Sequence, residues 1–131
     1  MDHVRRLEIG LGRAGDDPEA WLADARRTLT ILLEEFPGHF GREEGGLYQT
    51  VPAENPRFAR RLGELEREHP ELLEMLRGAA DCAASCTEPN PDGLRDLAER
   101  CRGFIASLRR HEGAENEIIA QATWEDLGVG D

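Results

Sequence analysis

An apolar residue recurs at steps of three and four along most of this chain, and that spacing keeps side chains on one face of an α-helix. In the second of four helical segments, at about residues 18–50, this stripe consists of Leu22, Ala25, Leu29, Leu32 and Phe36. In a third it consists of Phe58, Leu62, Leu65, Leu72, Leu76 and Ala79, and in a fourth of Leu94, Leu97, Cys101, Phe104, Leu108, Ile118 and Ala122. Valine and isoleucine are scarce and no apolar–polar alternation is long enough for a strand. The pattern therefore predicts an all-α fold.

Turn-forming residues divide the 131 residues into four helical segments, at about 2–14, 18–50, 56–82 and 92–125. Asp17 and Pro18 are typical of an N-cap and a first helical position. Clusters of proline, asparagine and glycine at 52–56 and 87–93 predict two further breaks. Short connections between long helices make sequence neighbours antiparallel. We expect one domain over residues 1–131, an antiparallel up-down-up-down four-helix bundle.

The net charge of the chain limits the kinds of partner that it can bind. Sixteen Lys and Arg against 27 Asp and Glu give a formal net charge of -11. Such a surface repels phosphate backbones and anionic membranes, so we expect no nucleic-acid and no membrane partner. Three cysteines argue against a disulfide scaffold, and the start has no apolar run of signal-peptide length. These features favour a cytoplasmic location.

Histidine and glutamate stand at stripe positions where the pattern calls for an apolar residue. His39 and Glu43 continue the second stripe, His69 interrupts the third, and His111 and Glu115 interrupt the fourth. Each His–Glu pair is spaced i, i+4, which places imidazole and carboxylate on the same helix face. Unpaired carboxylates in an apolar interior cost several kcal/mol or take up protons. A bound cation would compensate that cost.

His3 belongs to the same pattern, because Leu7 and Leu11 follow it at steps of four and it can face inward on the first segment. The predicted metal ligands are thus His3, His39, Glu43, His69, His111 and Glu115. Mixed imidazole and carboxylate ligation by more than four groups is unlike structural zinc. Two bridging carboxylates inside a helix bundle are typical of di-iron or di-manganese centres. Two iron ions are the predicted cofactor, with manganese or zinc as alternatives.

The order of these elements, one on each helix, resembles the hemerythrin-like HHE cation-binding domain family over nearly the whole chain. The elements read His3, His39-Phe-Gly-Arg-Glu43, Glu68-His69 and His111-Glu-Gly-Ala-Glu115. The resemblance implies that Glu43 and Glu115 bridge two irons and that the four histidines ligate them on either side. It also implies O2, or a related small diatomic molecule or peroxide, as the partner of the centre.

Two departures separate the chain from the respiratory hemerythrins. Those carry a second histidine four residues after the third-helix histidine, where this chain has Leu73. Their fourth-helix carboxylate follows its histidine by five residues, and here the spacing is four. One iron would have fewer nitrogen ligands, with room for water or a carboxylate such as Glu44. The departures argue against reversible O2 carriage.

Three functions stay open at this point. The first is binding or sensing of O2, redox state or iron, and the second is a di-iron oxidase or peroxidase-type enzyme for ferrous ion, peroxide or nitric oxide. The third is a metal-free helical module that binds a protein, and nothing in the sequence names that protein. Cys82 and Cys86, spaced four apart, allow a redox switch, but small packing residues are the simpler interpretation.

Overall fold

The computed structural model describes residues 2–126, which are helical apart from short turns. The helices are α1 (Asp2–Leu11), α2 (Pro18–Gly45), α3 (Leu47–Glu54), α4 (Ala59–Ser85) and α5 (Pro91–Asp126), with one 3-10 turn at Pro56–Phe58. These 125 residues contain no strand, and the prediction of an all-α fold is confirmed. None of the helices in this part of the chain has both the length and the apolar character needed to cross a bilayer.

The long helices run antiparallel to their neighbours. Between α4 and α5, Cys82 lies against Asp96 and His69 against His111, so residue numbers fall on one helix as they rise on the other. The contacts between α2 and α4, and between α1 and α2, show the same reversal. Helix α1 also packs against α5, which closes a ring of four long helices. The arrangement is the predicted four-helix bundle.

The predicted helix limits require corrections. The segment expected as one helix over 18–50 is two helices, because Gly46 has φ -111° and ψ -91° and leaves helical geometry. Pro52, expected as a break, lies inside α3, and the chain leaves the helix at Asn55 instead. A proline removes one helical hydrogen bond, and α3 continues past it only as far as Glu54. Helix α1 ends at Leu11, before the predicted limit of 14.

Helix α2 begins where the sequence predicted. Pro18 is its first residue, and the side chain of Asp17 accepts a hydrogen bond of 3.2 Å from the backbone N–H of Ala20. This bond satisfies one of the free N–H groups at the helix start, which is the role of an N-cap.

The apolar core consists of two separate clusters. The larger is centred on Phe36 and Phe104, whose rings meet edge to face with centroids 5.9 Å apart. The smaller contains Tyr48, Phe58, Leu62, Leu65, Ile118 and Ala122. Along α4, His69 lies between the clusters, and along α5 the buried His111 and Glu115 do so. The polar residues therefore form a layer that separates the two apolar clusters.

The larger cluster should determine most of the stability. The side chain of Phe104 is 1% exposed, so Phe104→Ala should leave a cavity and lower the free energy of unfolding by about 3–5 kcal/mol. Trp124 is 55% exposed, and Trp124→Ala should change the same quantity by less than about 0.5 kcal/mol. Urea titration followed by circular dichroism measures both, and equal losses in the two variants would contradict this packing.

Candidate metal centre

Four of the six predicted ligands converge in the polar layer. Glu43 comes from α2, His69 from α4, and His111 and Glu115 from α5; one donor atom of each lies within 4.8 Å of the other three. Both histidines and Glu115 are buried. Within residues 2–126, no second group of three or more His, Cys, Asp or Glu donors meets this criterion.

The two buried imidazoles face each other through their Nε2 atoms, which are 3.2 Å apart. Their outer nitrogens bind carboxylates: His69 Nδ1 lies 2.7 Å from Glu44 Oε2, and His111 Nδ1 lies 2.8 Å from Glu68 Oε1. A carboxylate oxygen accepts, so each Nδ1 carries the proton and each Nε2 is turned inward. Histidine ligands of metals are commonly held by carboxylates in this way. The Nε2 atom of His111 also lies 3.4 Å from Glu115 Oε2, so without a cation a proton on this nitrogen occupies the space that a metal ion would take.

The carboxyl group of Glu43 provides the second sign of a cation site. Its Oε1 is buried and has no hydrogen-bond partner, although buried polar atoms are nearly always satisfied. This oxygen lies 3.6 Å from Nε2 of both His39 and His69. An unsatisfied oxygen beside inward-facing nitrogens is a donor set that fits a divalent cation, since imidazole and carboxylate both ligate such ions.

The charges of the cluster are divided unequally. Burial, followed by the neighbouring Glu115 carboxyl, raises the pKa of Glu43 from 4.5 to about 8. Burial also acts to raise the pKa of Glu115, but hydrogen bonds from His111 and Tyr48 outweigh it and the net direction is downward. For His111, burial acts to lower the pKa, and its bonds to Glu115 and Glu68 outweigh that effect. Without a cation, Glu43 holds a proton while Glu115 holds the negative charge.

Tyr48 is a residue of this site that the sequence analysis missed. Its hydroxyl donates a 2.5 Å hydrogen bond to Glu115 Oε2 and lies 3.4 Å from His69 Nε2. The break at Gly46 turns the chain so that α3 carries the phenol over the cluster. The consecutive glycines Gly45 and Gly46 were the available signal, because such a pair predicts the end of a helix.

His39 lies at the edge of the cluster. Its side chain is 37% exposed, whereas the next residue, Phe40, is buried and stacks on the ring of His69 at 4.0 Å between centroids. The apolar stripe of α2 thus continues from Phe36 to Phe40 rather than to His39. The Nε2 atom of His39 still reaches Glu43, so it borders the four-residue group.

The structure does not bring His3 into the group of four. The His3 side chain is 35% exposed, and its Nε2 lies 3.6 Å from Oε1 of Glu35, a residue of α2. Its assignment as a ligand stays a prediction. Glu44, considered as a substitute metal ligand, instead binds the outer nitrogen of His69.

Comparison with known proteins agrees with this geometry. The family model described as hemerythrin HHE cation binding domain matches residues 2–123. The chain belongs to the hemerythrin HHE family. No curated protein and no solved structure matches the chain significantly.

The family match covers all six predicted ligands and nearly all of α1, α2, α4 and α5, the four helices that carry them. This chain belongs to a cation-binding family and contains a buried His/Glu group that could hold a metal ion.

The pKa of Glu43 makes the stability of the metal-free HHE bundle depend on pH. The pKa is 4.5 in the unfolded reference and about 8 in the fold, so the folded state binds the extra proton and stability falls as pH rises through this window. Glu43→Gln removes that titration. The variant should melt several degrees above the unmodified protein at pH 8 and close to it at pH 5.

Thermal melts of chelator-treated protein at both pH values test this. His111 is present in both proteins, so its own titration largely cancels in the difference. Glu64→Gln, at an exposed pair with Arg61, is the matched control and should give no pH-dependent difference. A Glu43→Gln shift of the same size at pH 5 and pH 8 would show that Glu43 does not hold the proton.

Proposed function

We propose that this chain is a non-haem di-iron protein whose iron occupancy or oxidation state responds to iron, O2 or redox conditions. The observation that carries the proposal is the buried Oε1 of Glu43, which has no hydrogen-bond partner and faces inward-turned imidazole nitrogens. Iron suits such mixed nitrogen and oxygen donors, and carboxylates within a helix bundle are the usual setting of di-iron centres. Bound iron would supply one-electron redox chemistry.

Different observations support the different proposed ligands. Nε2 of His69 and of His111 and the carboxylates of Glu43 and Glu115 form the compact group, and the two carboxylates are the proposed bridges. His39 would join through the face it shares with Glu43. His3 would be a further ligand, after its imidazole leaves its contact with Glu35. Loading would release the proton of Glu43.

Neighbouring residues would hold these ligands in place. Glu44 and Glu68 fix the rings of His69 and His111 by binding Nδ1. Tyr48 holds one oxygen of Glu115. Phe40 covers one face of His69 and excludes water from it. Such contacts set ligand orientation and basicity, and their loss commonly weakens metal affinity by about 10–100-fold.

A response to occupancy follows from where the site lies. Its residues come from α2, α3, α4 and α5, and the layer that they form separates the two apolar clusters. A cation bound to several helices would join the two parts of the core, while an empty polar layer would leave them weakly coupled. Iron binding would thereby change the order of the bundle, which is a signal that a protein partner can recognise.

Iron content and its spectrum test the proposal. Purified protein loaded anaerobically with ferrous iron should hold about two irons per chain, by analogy with other helix-bundle di-iron centres, and its absorption should differ between air and reductant. Glu43→Ala should lose most of this iron because a bridge is removed, whereas the exposed Glu117→Ala should keep it. Retention of both irons in Glu43→Ala would contradict the assignment.

The same preparation distinguishes the alternatives. Protein that folds but takes up no iron would support the metal-free interaction module. Turnover of added peroxide or ferrous ion by the loaded protein would favour the di-iron enzyme over the sensor.

His3 has its own test. His3→Ala should lose only part of the iron, since the compact group of four does not include it. Glu35→Ala removes the carboxylate that contacts His3 without removing the imidazole and should retain the iron. Full iron retention in His3→Ala would exclude His3 as a ligand, and equal losses in both variants would indicate that His3 acts through Glu35.

A further inference from the structure

A cavity of about 520 Å³ lies between α4 and α5, away from the histidine layer and close to the turn that joins the two helices. Cys82 and Cys86 line it from α4, and Asp96 lines it from α5. No disulfide is formed, and the third cysteine, Cys101, is fully buried in the larger apolar cluster. The cavity thus contains two thiols and a carboxylate to which the proposed iron centre assigns no role.

The Cys82 thiol points across the groove toward α5, whereas the Cys86 thiol donates a hydrogen bond of 3.3 Å to the carbonyl of Glu88 in the turn. The Cys82 thiol donates to Asp96 Oδ2 at 3.5 Å, while Arg100 Nε donates to the other oxygen of Asp96 at 3.2 Å. The Cys86 sulfur packs so closely against Gly93 that a Cβ at that position would lie 3.2 Å from it. Gly93 and Asp96 are three residues apart on α5, so the two sulfurs face one side of the same helix.

The spacing of the two cysteines suits a bridging cation better than a disulfide. The N–H of Cys86 bonds the carbonyl of Cys82 at 3.1 Å, which fixes the pair as one α-helical turn. Residues spaced i, i+4 have Cβ atoms about 5–6 Å apart, whereas a disulfide needs about 3.5–4.5 Å. A cation adds two bonds of roughly 2.3 Å between the sulfurs, which spans the turn without breaking it.

The protonation of the Cys82 thiol argues against a redox switch at this pair of cysteines. Burial, then the hydrogen bond to Asp96, raises the pKa of Cys82, so this sulfur is a protonated thiol and a poor nucleophile toward oxidants. A soft cation can displace that proton, because thiolate ligands select ions of this kind over oxygen-preferring ones.

We propose that Cys82 and Cys86 bind one soft cation of the Cu(I) class through their two sulfurs, with the Asp96 carboxylate beside Cys82 but outside this pair of ligands. Each thiol releases its proton to solvent as its sulfur bonds the cation, and no oxidation state changes. The site is separate from the His/Glu group in position and in donor type, so it does not depend on iron binding there.

Cu(I) is the probe. It is added anaerobically to the full chain in competition with a chromophoric Cu(I) chelator, and the protein should hold one equivalent. Cys82→Ser and Cys86→Ser should each weaken this binding by at least about 100-fold, more than the loss of an outer-shell partner, and Asp96→Asn by about 10-fold. Cys101→Ala, the matched control, and His69→Ala should leave it unchanged. X-ray absorption at the copper edge should find two sulfur neighbours.

Three results would overturn the proposal: unchanged Cu(I) binding in Cys82→Ser, copper lost in His69→Ala but kept in Cys86→Ser, or a copper edge with only nitrogen and oxygen neighbours. Where a serine variant fails to fold, the unmodified chain still gives an answer. Bound Cu(I) should protect the Cys82 and Cys86 peptides from alkylation, and equal labelling with and without Cu(I) would equally overturn the proposal.

Discussion

The structure depends on a group of buried polar atoms. Two imidazole nitrogens lie 3.2 Å apart, next to a carboxyl oxygen without a hydrogen bond. An apolar bundle of this size would be more stable with leucine at these positions, because burying unpaired polar groups costs free energy. The fold retains them on three helices at one level. A cation bound to these donors would stabilise the folded state, and this linkage would let the bundle respond to the cation.

The contacts around this group of polar atoms keep the side chains that carry them from turning away. Glu44 and Glu68 hold the outer nitrogens of the two rings, Tyr48 holds Glu115, and Phe40 stacks on His69. Each of these residues removes a rotation by which a donor could turn away. The two outer carboxylates are partly exposed while the imidazoles are almost fully buried, so the supporting bonds connect the interior to the surface. Contacts of this kind fix the orientation of metal ligands and raise their affinity for a metal.

The sequence predicted the bundle and the grouping of Glu43, His69, His111 and Glu115 because both follow from one periodicity. Leu65, His69 and Leu72 occupy a single face of α4, and spacing alone identified that face. The spacing did not predict where the chain changes direction, or where the apolar stripe moves to a neighbouring residue. Gly46 ended α2 early, which brought in Tyr48, and Phe40 took the inward position that the heptad-like pattern assigned to His39. Neither event has a periodic signature, since one depends on a local backbone turn and the other on tertiary packing.

The division of the core into clusters of unequal size has a dynamic consequence. The smaller cluster has six buried members and includes the phenol of Tyr48, so its free energy of local opening is lower than that of the larger one. Backbone amides of α3 and of the adjoining ends of α4 and α5 will exchange hydrogen before those near Phe104. The bundle then opens from the end that holds the smaller cluster, and the polar layer with Glu115 is the next part to meet solvent.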